Sequence, residues 1–318
     1  TTLFRSAPAW AVMGLNALII SLGYLVFYST GLLFDSSSTF LGLSAVLGSL
    51  VSSAMIEIDR QTHLIEADRQ RMREAQAQAA GELAAARRIQ LGSLPDAARL
   101  FAAEQRFALA TYLEPARDVG GDLYDFFMID ARRLCFMVGD VAGKGVPASL
   151  FMAIAKTLAK SIASRVDQGL GVITTLANQE LSRENAEQLF VTLLIGILDL
   201  ESGELSLVNA GHDGPWRVSA DGRVEQITCP TDAGGPPLCV IDDFSYVAQK
   251  LSLSPGDTLC LITDGVTEAM NVQHEQYGAK RLESVLQTTD GKALPPEVVA
   301  RLKESLAAFV GQAEASDD

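Results

Sequence analysis

The sequence Leu134-Cys-Phe-Met-Val-Gly-Asp140-Val-Ala-Gly-Lys-Gly145 combines an apolar run, a carboxylate and a glycine-rich turn. Leu134 to Val138 is an apolar run, which predicts a buried strand that stops at Gly139. A carboxylate, Asp140, follows at once and leads into a glycine-rich turn. Glycine lets the backbone approach a cation closely, so an aspartate in this position is a candidate ligand.

The same arrangement occurs twice more along the chain. Val119-Gly-Gly-Asp122 lies upstream, and Thr258-Leu-Cys-Leu-Ile-Thr-Asp264-Gly lies far downstream. Each places an aspartate beside glycine at the border of an apolar run. If the three borders meet in space, their carboxylates form the oxygen-rich pocket that Mg²⁺ or Mn²⁺ prefers. From the residues alone, ordinary turn aspartates without a metal remain the alternative.

Composition excludes several classes of function. The net charge of −14 over 318 residues argues against nucleic acid as a partner, because no basic stretch is present to neutralise phosphates. With 3 histidines, a histidine-rich zinc site is not expected. Lys144 lies in a glycine-rich turn, but the glycine spacing is one residue short of a P-loop. Gly145 also replaces the Ser or Thr that would hold Mg²⁺, which disfavours a nucleotide-dependent kinase or ATPase.

The first 56 residues differ from the rest in charge. Residues 9–28 are uncharged over the length of roughly 20 residues that a membrane-spanning helix needs, and residues 40–56 form a second such stretch. Arginines follow the second stretch closely, which predicts a hairpin anchored in the inner membrane with everything after Ile56 in the cytoplasm. The alternative is a pair of buried core helices.

Residues 57–94 predict a helical signalling linker. The segment is charged, rich in Ala, Gln and Arg, and has no proline. Long helices of this composition usually need a partner, which favours a homodimer joined through the linker. A solvated single helix is the alternative, since the heptad pattern is weak.

Residues 95–318 change to short apolar runs separated by turns. The many antiparallel-looking strands, with helices in separate groups, predict an α+β fold in which a sheet sandwich is covered by helices. The predicted strands are 107–113, 123–129, 134–138, 190–198, 204–209, 215–218, 223–227, 245–251 and 258–262, and the predicted helices are 148–166, 171–187, 279–287 and 296–313.

Four motifs, in order, resemble those of one family. Residues 114–127, Glu-Pro-Ala-Arg-Asp-Val-Gly-Gly-Asp-Leu-Tyr-Asp-Phe-Phe, resemble the first signature of the PPM-type metal-dependent Ser/Thr protein phosphatases, in their bacterial SpoIIE-like and RsbU-like branch. Residues 139–149 resemble the second signature. Asn209-Ala-Gly-His212 and Asp264-Gly-Val-Thr-Glu268-Ala are similar to later ones. The resemblance covers about residues 94–318.

The resemblance implies both a fold and an activity. The fold is a two-sheet antiparallel β-sandwich flanked by helices, with two Mn²⁺ or Mg²⁺ ions at one edge. The activity is hydrolysis of phosphoserine or phosphothreonine by a hydroxide held between the ions, with no covalent phosphoenzyme. The implied substrate is a phosphorylated cytoplasmic protein, an anti-sigma-factor antagonist of the STAS type.

The resemblance also implies roles for individual residues. Asp122 matches the metal-bridging aspartate and Asp140 the second ligand, with the carbonyl of Val141 beside it. Asp264 matches the late strand-end ligand. The last ligand matches Asp317, in a terminal pair with Asp318, where the family's final strand is expected to be missing.

Other residues are expected to act outside the set of metal ligands. Arg117 is a candidate to bind the substrate phosphate bidentately, with a surface ion pair as the alternative. His212 is interpreted as a hydrogen-bonded structural histidine rather than a proton donor, and Asp125 as structural or in contact with the site's hydrogen bonds. Cys239 stands where the family commonly has glycine. The segment 83–95 resembles the helix that precedes these phosphatase domains, and the resemblance implies that packing of the linker controls the metal site.

A second hypothesis belongs to another class. The chain is then a catalytically silent phosphatase-like module that senses or scaffolds without turnover. A natural end of the protein at Asp318 would favour this second hypothesis.

Overall fold

The computed structural model describes residues 37–116, 119–165, 167–183, 185–289 and 291–313, together with scattered residues between 14 and 29. The chain divides into two compact units, Thr1–Gly81 and Glu82–Asp318. The predicted span at residues 9–28 lies largely outside the described residues. The predicted span at 40–56 falls within a helix.

That helix, α1, runs without interruption over Ser37–Gly92. Its composition explains its length, because strong helix formers dominate and no proline occurs between Ser37 and Pro95. It ends where the amide of Ser93 bonds back to the carbonyls of Ile89 and Gln90.

Two antiparallel sheets form the centre of the second unit. The larger has the strand order β1-β2-β3-β4-β7 and the smaller β6-β5-β8. The strands are β1 (Leu123–Met128), β2 (Arg133–Val141), β3 (Val191–Asp199), β4 (Glu204–Ala210), β5 (Trp216–Val218), β6 (Val224–Gln226), β7 (Gln249–Ser252) and β8 (Thr258–Cys260). The remaining helices are α2 (Ala97–Leu100), α3 (Val146–Arg165), α4 (Leu170–Arg183), α5 (Asp264–Thr267), α6 (Gly278–Gln287) and α7 (Pro295–Val310).

Alternating side chains explain the layers. On β3, Leu193 and Ile195 pack with α3 and α4 in one core cluster, whereas Leu194 belongs to a cluster with Leu205 and Leu207 of β4. Successive residues of a strand face opposite sides, so each face of this strand is buried in a different cluster. A third cluster packs β5 against α6 and α7. The predicted α+β architecture of antiparallel sheets and helices is confirmed.

Some sequence predictions are wrong in detail. Residues 107–113 form no strand, and Phe107 instead packs its ring against Phe101 at a centroid distance of 5.0 Å. Strand β2 does not stop at Gly139 but continues to Val141, because its pairing with β3 extends to Val191. Asp140 therefore lies within a hydrogen-bonded strand.

The described residues include one helix, α3, that is long and apolar enough to cross a membrane. Its buried residues, among them Met152 and Ala159, belong to the core cluster of the second unit. Core packing accounts for its apolar character.

Candidate active site

Two of the predicted ligands lie opposite each other at one end of the larger sheet. Pairing of β1 with β2 places Leu123 opposite Gly139. Extending this register by one residue brings Asp122 opposite Asp140, and directly opposed residues share a face of the sheet. Asp122 is only 3% exposed. Its carboxylate thus lies inside the fold, which disfavours the interpretation as a solvated turn aspartate.

Gly121 permits a close approach at this point. A Cβ atom on Gly121 would lie 2.8 Å from the carbonyl oxygen of Val141 and 3.0 Å from Oδ1 of Asp140. A side chain does not fit there without a shift of the backbone, so glycine is required. The carbonyl of Val141 and a carboxylate oxygen of Asp140 therefore both border the backbone that carries Asp122.

Thr263 connects the third predicted ligand to the first. It is the N-cap residue of α5, and Asp264 is the first residue of that helix. The hydroxyl of Thr263 donates a hydrogen bond of 2.6 Å to Oδ2 of Asp122. The chain segment that carries Asp264 is thereby held against Asp122.

His212 uses both ring nitrogens within the fold. Nδ1 lies 2.9 Å from the hydroxyl of Thr192, and Nε2 lies 3.0 Å from the carbonyl oxygen of Ile262. Burial lowers the pKa of His212 below its usual value, because the charged ring loses its hydration. These contacts agree with the interpretation of His212 as a hydrogen-bonded residue rather than a proton donor.

The donors that meet at Gly121 fit a hard divalent cation. Carboxylate and carbonyl oxygens are the protein ligands that Mg²⁺ and Mn²⁺ take, usually with water completing the shell. No three His, Cys, Asp or Glu side chains within the described ranges are arranged as a ready metal site. Asp317 and Arg117 lie outside those ranges. The complete ligand set of Asp122, Asp140, Asp264 and Asp317 therefore stays a prediction.

A family model described as Stage II sporulation protein E (SpoIIE) matches residues 130–318, more than half of the chain. The chain belongs to the SpoIIE family. Members of this family include PP2C-type serine phosphatases, which depend on metal ions. The resemblance seen in the sequence motifs is thus confirmed at the level of the family.

Individual relatives agree with this SpoIIE assignment. The chain is 27% identical over 252 residues to Protein IcfG of Synechocystis, covering 71% of this chain and 38% of that protein. It is 26% identical over 165 residues to the phosphoserine phosphatase RsbU of Bacillus subtilis, covering 52% of this chain and 48% of RsbU. The chain thus spans less than half the length of these curated relatives.

A solved structure shows the same fold. The SiaA PP2C domain of Pseudomonas aeruginosa superimposes with a TM-score of 0.65 at 24% identity, covering 77% of this chain and 95% of that domain. The sandwich of this SpoIIE-family chain is therefore a PP2C fold.

Asp125, in the segment that resembles the first signature, contributes to the packing of α3. It is 2% exposed, and its two carboxylate oxygens accept hydrogen bonds of 3.0 and 3.1 Å from Nζ of Lys160. A buried carboxylate without a cation would be strongly destabilising, so this pair fixes α3 over β1. Asp125 is a structural residue, one of the two roles predicted for it.

Several residues that support the site are not predicted from the sequence. Thr192 and Thr263 bond directly to the backbone or side chain of a predicted ligand. Gln90 of α1 bonds to Gly120, two residues before Asp122. Thr263 could have been identified from the sequence, because it directly precedes the predicted ligand Asp264. Thr192 and Gln90 become recognisable only once strand pairing and helix packing are known.

Proposed function

We propose that this SpoIIE-family chain is a metal-dependent protein phosphatase that hydrolyses phosphoserine or phosphothreonine on a cytoplasmic regulatory protein. One observation carries the proposal. Buried Asp122 directly precedes Leu123, which pairs with Gly139, and the neighbouring Gly121 lies against the carbonyl of Val141 and the carboxylate of Asp140. In a PP2C fold, such a cluster of oxygen donors is suited to bind the metal ions.

Each residue has a defined task in this mechanism. Two divalent ions held by Asp122, Asp140, Asp264, Asp317 and the carbonyl of Val141 would polarise the phosphoryl group and lower the pKa of a water molecule. Thr263 holds the carboxylate of Asp122 in one orientation through its 2.6 Å hydrogen bond. Arg117 is the proposed contact for the substrate phosphate, for which a guanidinium offers two parallel donors.

A STAS-type anti-sigma-factor antagonist is the proposed substrate. The sequence motifs resemble the RsbU-like branch, and RsbU of Bacillus subtilis is named a phosphoserine phosphatase. Such a substrate is a folded protein carrying one phosphoserine. We therefore expect faster hydrolysis of the phosphorylated domain than of a phosphoserine peptide with the same local sequence.

Phosphate release from a phosphoserine peptide tests the function. The full chain is expected to release phosphate with Mn²⁺ present and to stop when EDTA removes the metal, with recovery on adding Mn²⁺ back. Persistent hydrolysis in excess EDTA would contradict a metal-dependent enzyme. A folded chain that binds Mn²⁺ but never releases phosphate from peptide or protein would favour the silent sensing or scaffolding module.

The proposed control by a membrane-linked signal is supported by two contacts at the end of α1. The side-chain amide of Gln90 donates to the carbonyl of Gly120 at 2.7 Å and accepts from its amide at 3.2 Å. Nζ of buried Lys156 donates to the carbonyl of Ser93 at 2.6 Å. A shift or rotation of this helix end would therefore pull on the backbone that leads into Asp122.

Gln90→Ala is expected to weaken Mn²⁺ activation roughly 10-fold, the scale of losing a residue that orients a metal ligand. The backbone amide and the backbone carbonyl of buried Gly120 would both lose their hydrogen-bond partner, so the loop before Asp122 would no longer be fixed to α1. Mn²⁺ titration of phosphatase activity measures the effect. Gln70→Ala is the matched control, because the exposed side chain of Gln70 bonds to Glu74 within its own helix. Equal activation curves for the two variants would contradict coupling through Gln90.

The membrane anchor and the dimer are also proposals. The uncharged segments 9–28 and 40–56 support an inner-membrane hairpin with the phosphatase domain in the cytoplasm. Recovery of the full chain in the soluble fraction after gentle lysis would contradict the anchor. Exposed apolar side chains on α1, including Leu64, Ile65 and Met72, support pairing with a second copy. A monomeric mass in detergent would contradict the dimer.

A further inference from the structure

A chain of hydrogen bonds links the strands that carry two of the proposed ligands. The amide of Asp140 donates to the hydroxyl of Thr192 at 3.2 Å, and that hydroxyl lies 2.9 Å from Nδ1 of His212. Nε2 of His212 lies 3.0 Å from the carbonyl oxygen of Ile262, two residues before Asp264. The chain therefore begins at one proposed ligand and ends beside another.

The direction of these bonds follows from the donors available. A carbonyl oxygen can only accept, so Nε2 of His212 carries a hydrogen and donates to Ile262. In the neutral ring Nδ1 then accepts, and the hydroxyl of Thr192 donates to it. The hydroxyl is left with its lone pairs for the amide of Asp140, and its 3.4 Å separation from the carbonyl of Asp140 is the longer alternative.

The backbone of His212 is fixed independently of its ring. The side chain of Asn209 accepts from the amide of His212 at 2.8 Å and donates to its carbonyl at 2.7 Å. Gly211 adopts φ 71° under the ring of Pro237, where a Cβ would lie 2.5 Å from the proline Cδ. The imidazole thus projects from a rigid turn, and it bridges the larger sheet to the end of β8 in the smaller one.

We propose that His212 is a positioning residue that holds Asp140 and Asp264 at the spacing a divalent ion pair requires. The inference rests on the proposed metal centre. His212 has no direct ligand role in it, because both of its ring nitrogens bond to the protein. Its contribution is to connect the two sheets near the site, alongside the Thr263 hydroxyl bond to Asp122.

Two substitutions interrupt the chain at different points. Thr192→Val keeps the shape of the side chain and removes only the hydroxyl, whereas His212→Phe keeps a ring and removes both nitrogens. Each is expected to raise the Mn²⁺ dissociation constant roughly 10- to 100-fold, the range for residues that orient metal ligands. The double variant is expected to bind Mn²⁺ no more weakly than the weaker single variant, because either change already breaks the same chain.

Thr174→Val is the matched control for loss of a buried hydroxyl. Thr174 is 1% exposed and bonds to the carbonyl of Leu170 within α4, at 2.9 Å. We expect it to lower thermal stability to a similar degree as Thr192→Val while leaving Mn²⁺ affinity unchanged. If lower stability alone weakened Mn²⁺ binding, both variants would bind Mn²⁺ equally weakly. A lower Mn²⁺ affinity in Thr192→Val alone therefore reports the positioning of the ligands.

The measurement is direct titration of the full chain with Mn²⁺, monitored by the EPR signal of the free ion, so it does not depend on turnover. Weaker binding in Thr192→Val than in Thr174→Val supports the inference even if His212→Phe fails to fold. Equal affinity of wild type, Thr192→Val and Thr174→Val would overturn the role of His212 and leave the metal centre standing. Absence of Mn²⁺ binding by the wild-type chain would instead contradict the proposed function, and the inference with it.

Discussion

Asp122→Asn is expected to lower the rate of phosphoserine hydrolysis about 1,000-fold, equivalent to about 4 kcal/mol of transition-state stabilisation. Asparagine has the same shape, and its carbonyl can still accept the hydrogen bond from Thr263. The substitution therefore removes the negative charge while keeping the packing. In the proposed centre this charge serves both ions, so its loss affects the whole site. The rate is measured as phosphate release at saturating Mn²⁺.

Asp167→Asn is the control for the loss of one carboxylate. Asp167 lies in the turn after α3, its side chain is 92% exposed, and it makes a 3.4 Å ion pair with Arg133. Helix α3 begins near the site and has 20 residues, so its far end is about 30 Å away. Wild-type activity is expected for this variant. Wild-type activity in Asp122→Asn as well would remove Asp122 from the catalytic centre.

Gly121→Ala is expected to reduce activity roughly 100-fold with only a modest loss of stability, about 1–3 kcal/mol for inserting a methyl group into a packed site. The new Cβ would lie 2.8 Å from the carbonyl oxygen of Val141 and 3.0 Å from Oδ1 of Asp140. These atoms must move apart, and both are proposed ligands. Activity, the Mn²⁺ dependence and the urea unfolding midpoint are measured on the same preparation.

Gly169→Ala makes the same chemical change where a Cβ meets nothing within 4 Å. It is expected to keep wild-type activity and Mn²⁺ dependence. If Gly121→Ala lost stability but retained its normal Mn²⁺ dependence, Gly121 would serve only the packing of the sheet edge.

Local patterns explain why the fold could be anticipated. The apolar run 134–138 and the alternation in 204–209 carry their strand signal in neighbouring residues, and both occur as strands. The extension of β2 through Asp140 to Val141 depends on its pairing with β3, which local sequence does not specify. Apolar residues likewise predicted a strand at 107–113. These residues form no strand, and the ring of Phe107 packs against Phe101.

The site was only partly predictable for the same reason. Asp122, Asp140 and Asp264 could be selected because each adjoins glycine at the border of an apolar run. The residues that hold them come from elsewhere in the chain: the hydrogen bond from Thr263 to Asp122 spans 141 positions and that from Asp140 to Thr192 spans 52. A single sequence gives the chemistry of such residues but not which of them meet.

EPR spectroscopy of the full chain loaded with two equivalents of Mn²⁺ tests whether the proposed ligands hold two ions together. Asp122, Asp140, Asp264 and Asp317 would hold two ions close enough to give a spin-coupled dinuclear signal, and Asp122→Asn is expected to abolish that signal because one of these carboxylate charges is lost. Isolated, uncoupled Mn²⁺ in the wild-type chain would contradict the proposed two-metal centre. A coupled signal that Asp122→Asn leaves unchanged would contradict the role of Asp122 in it.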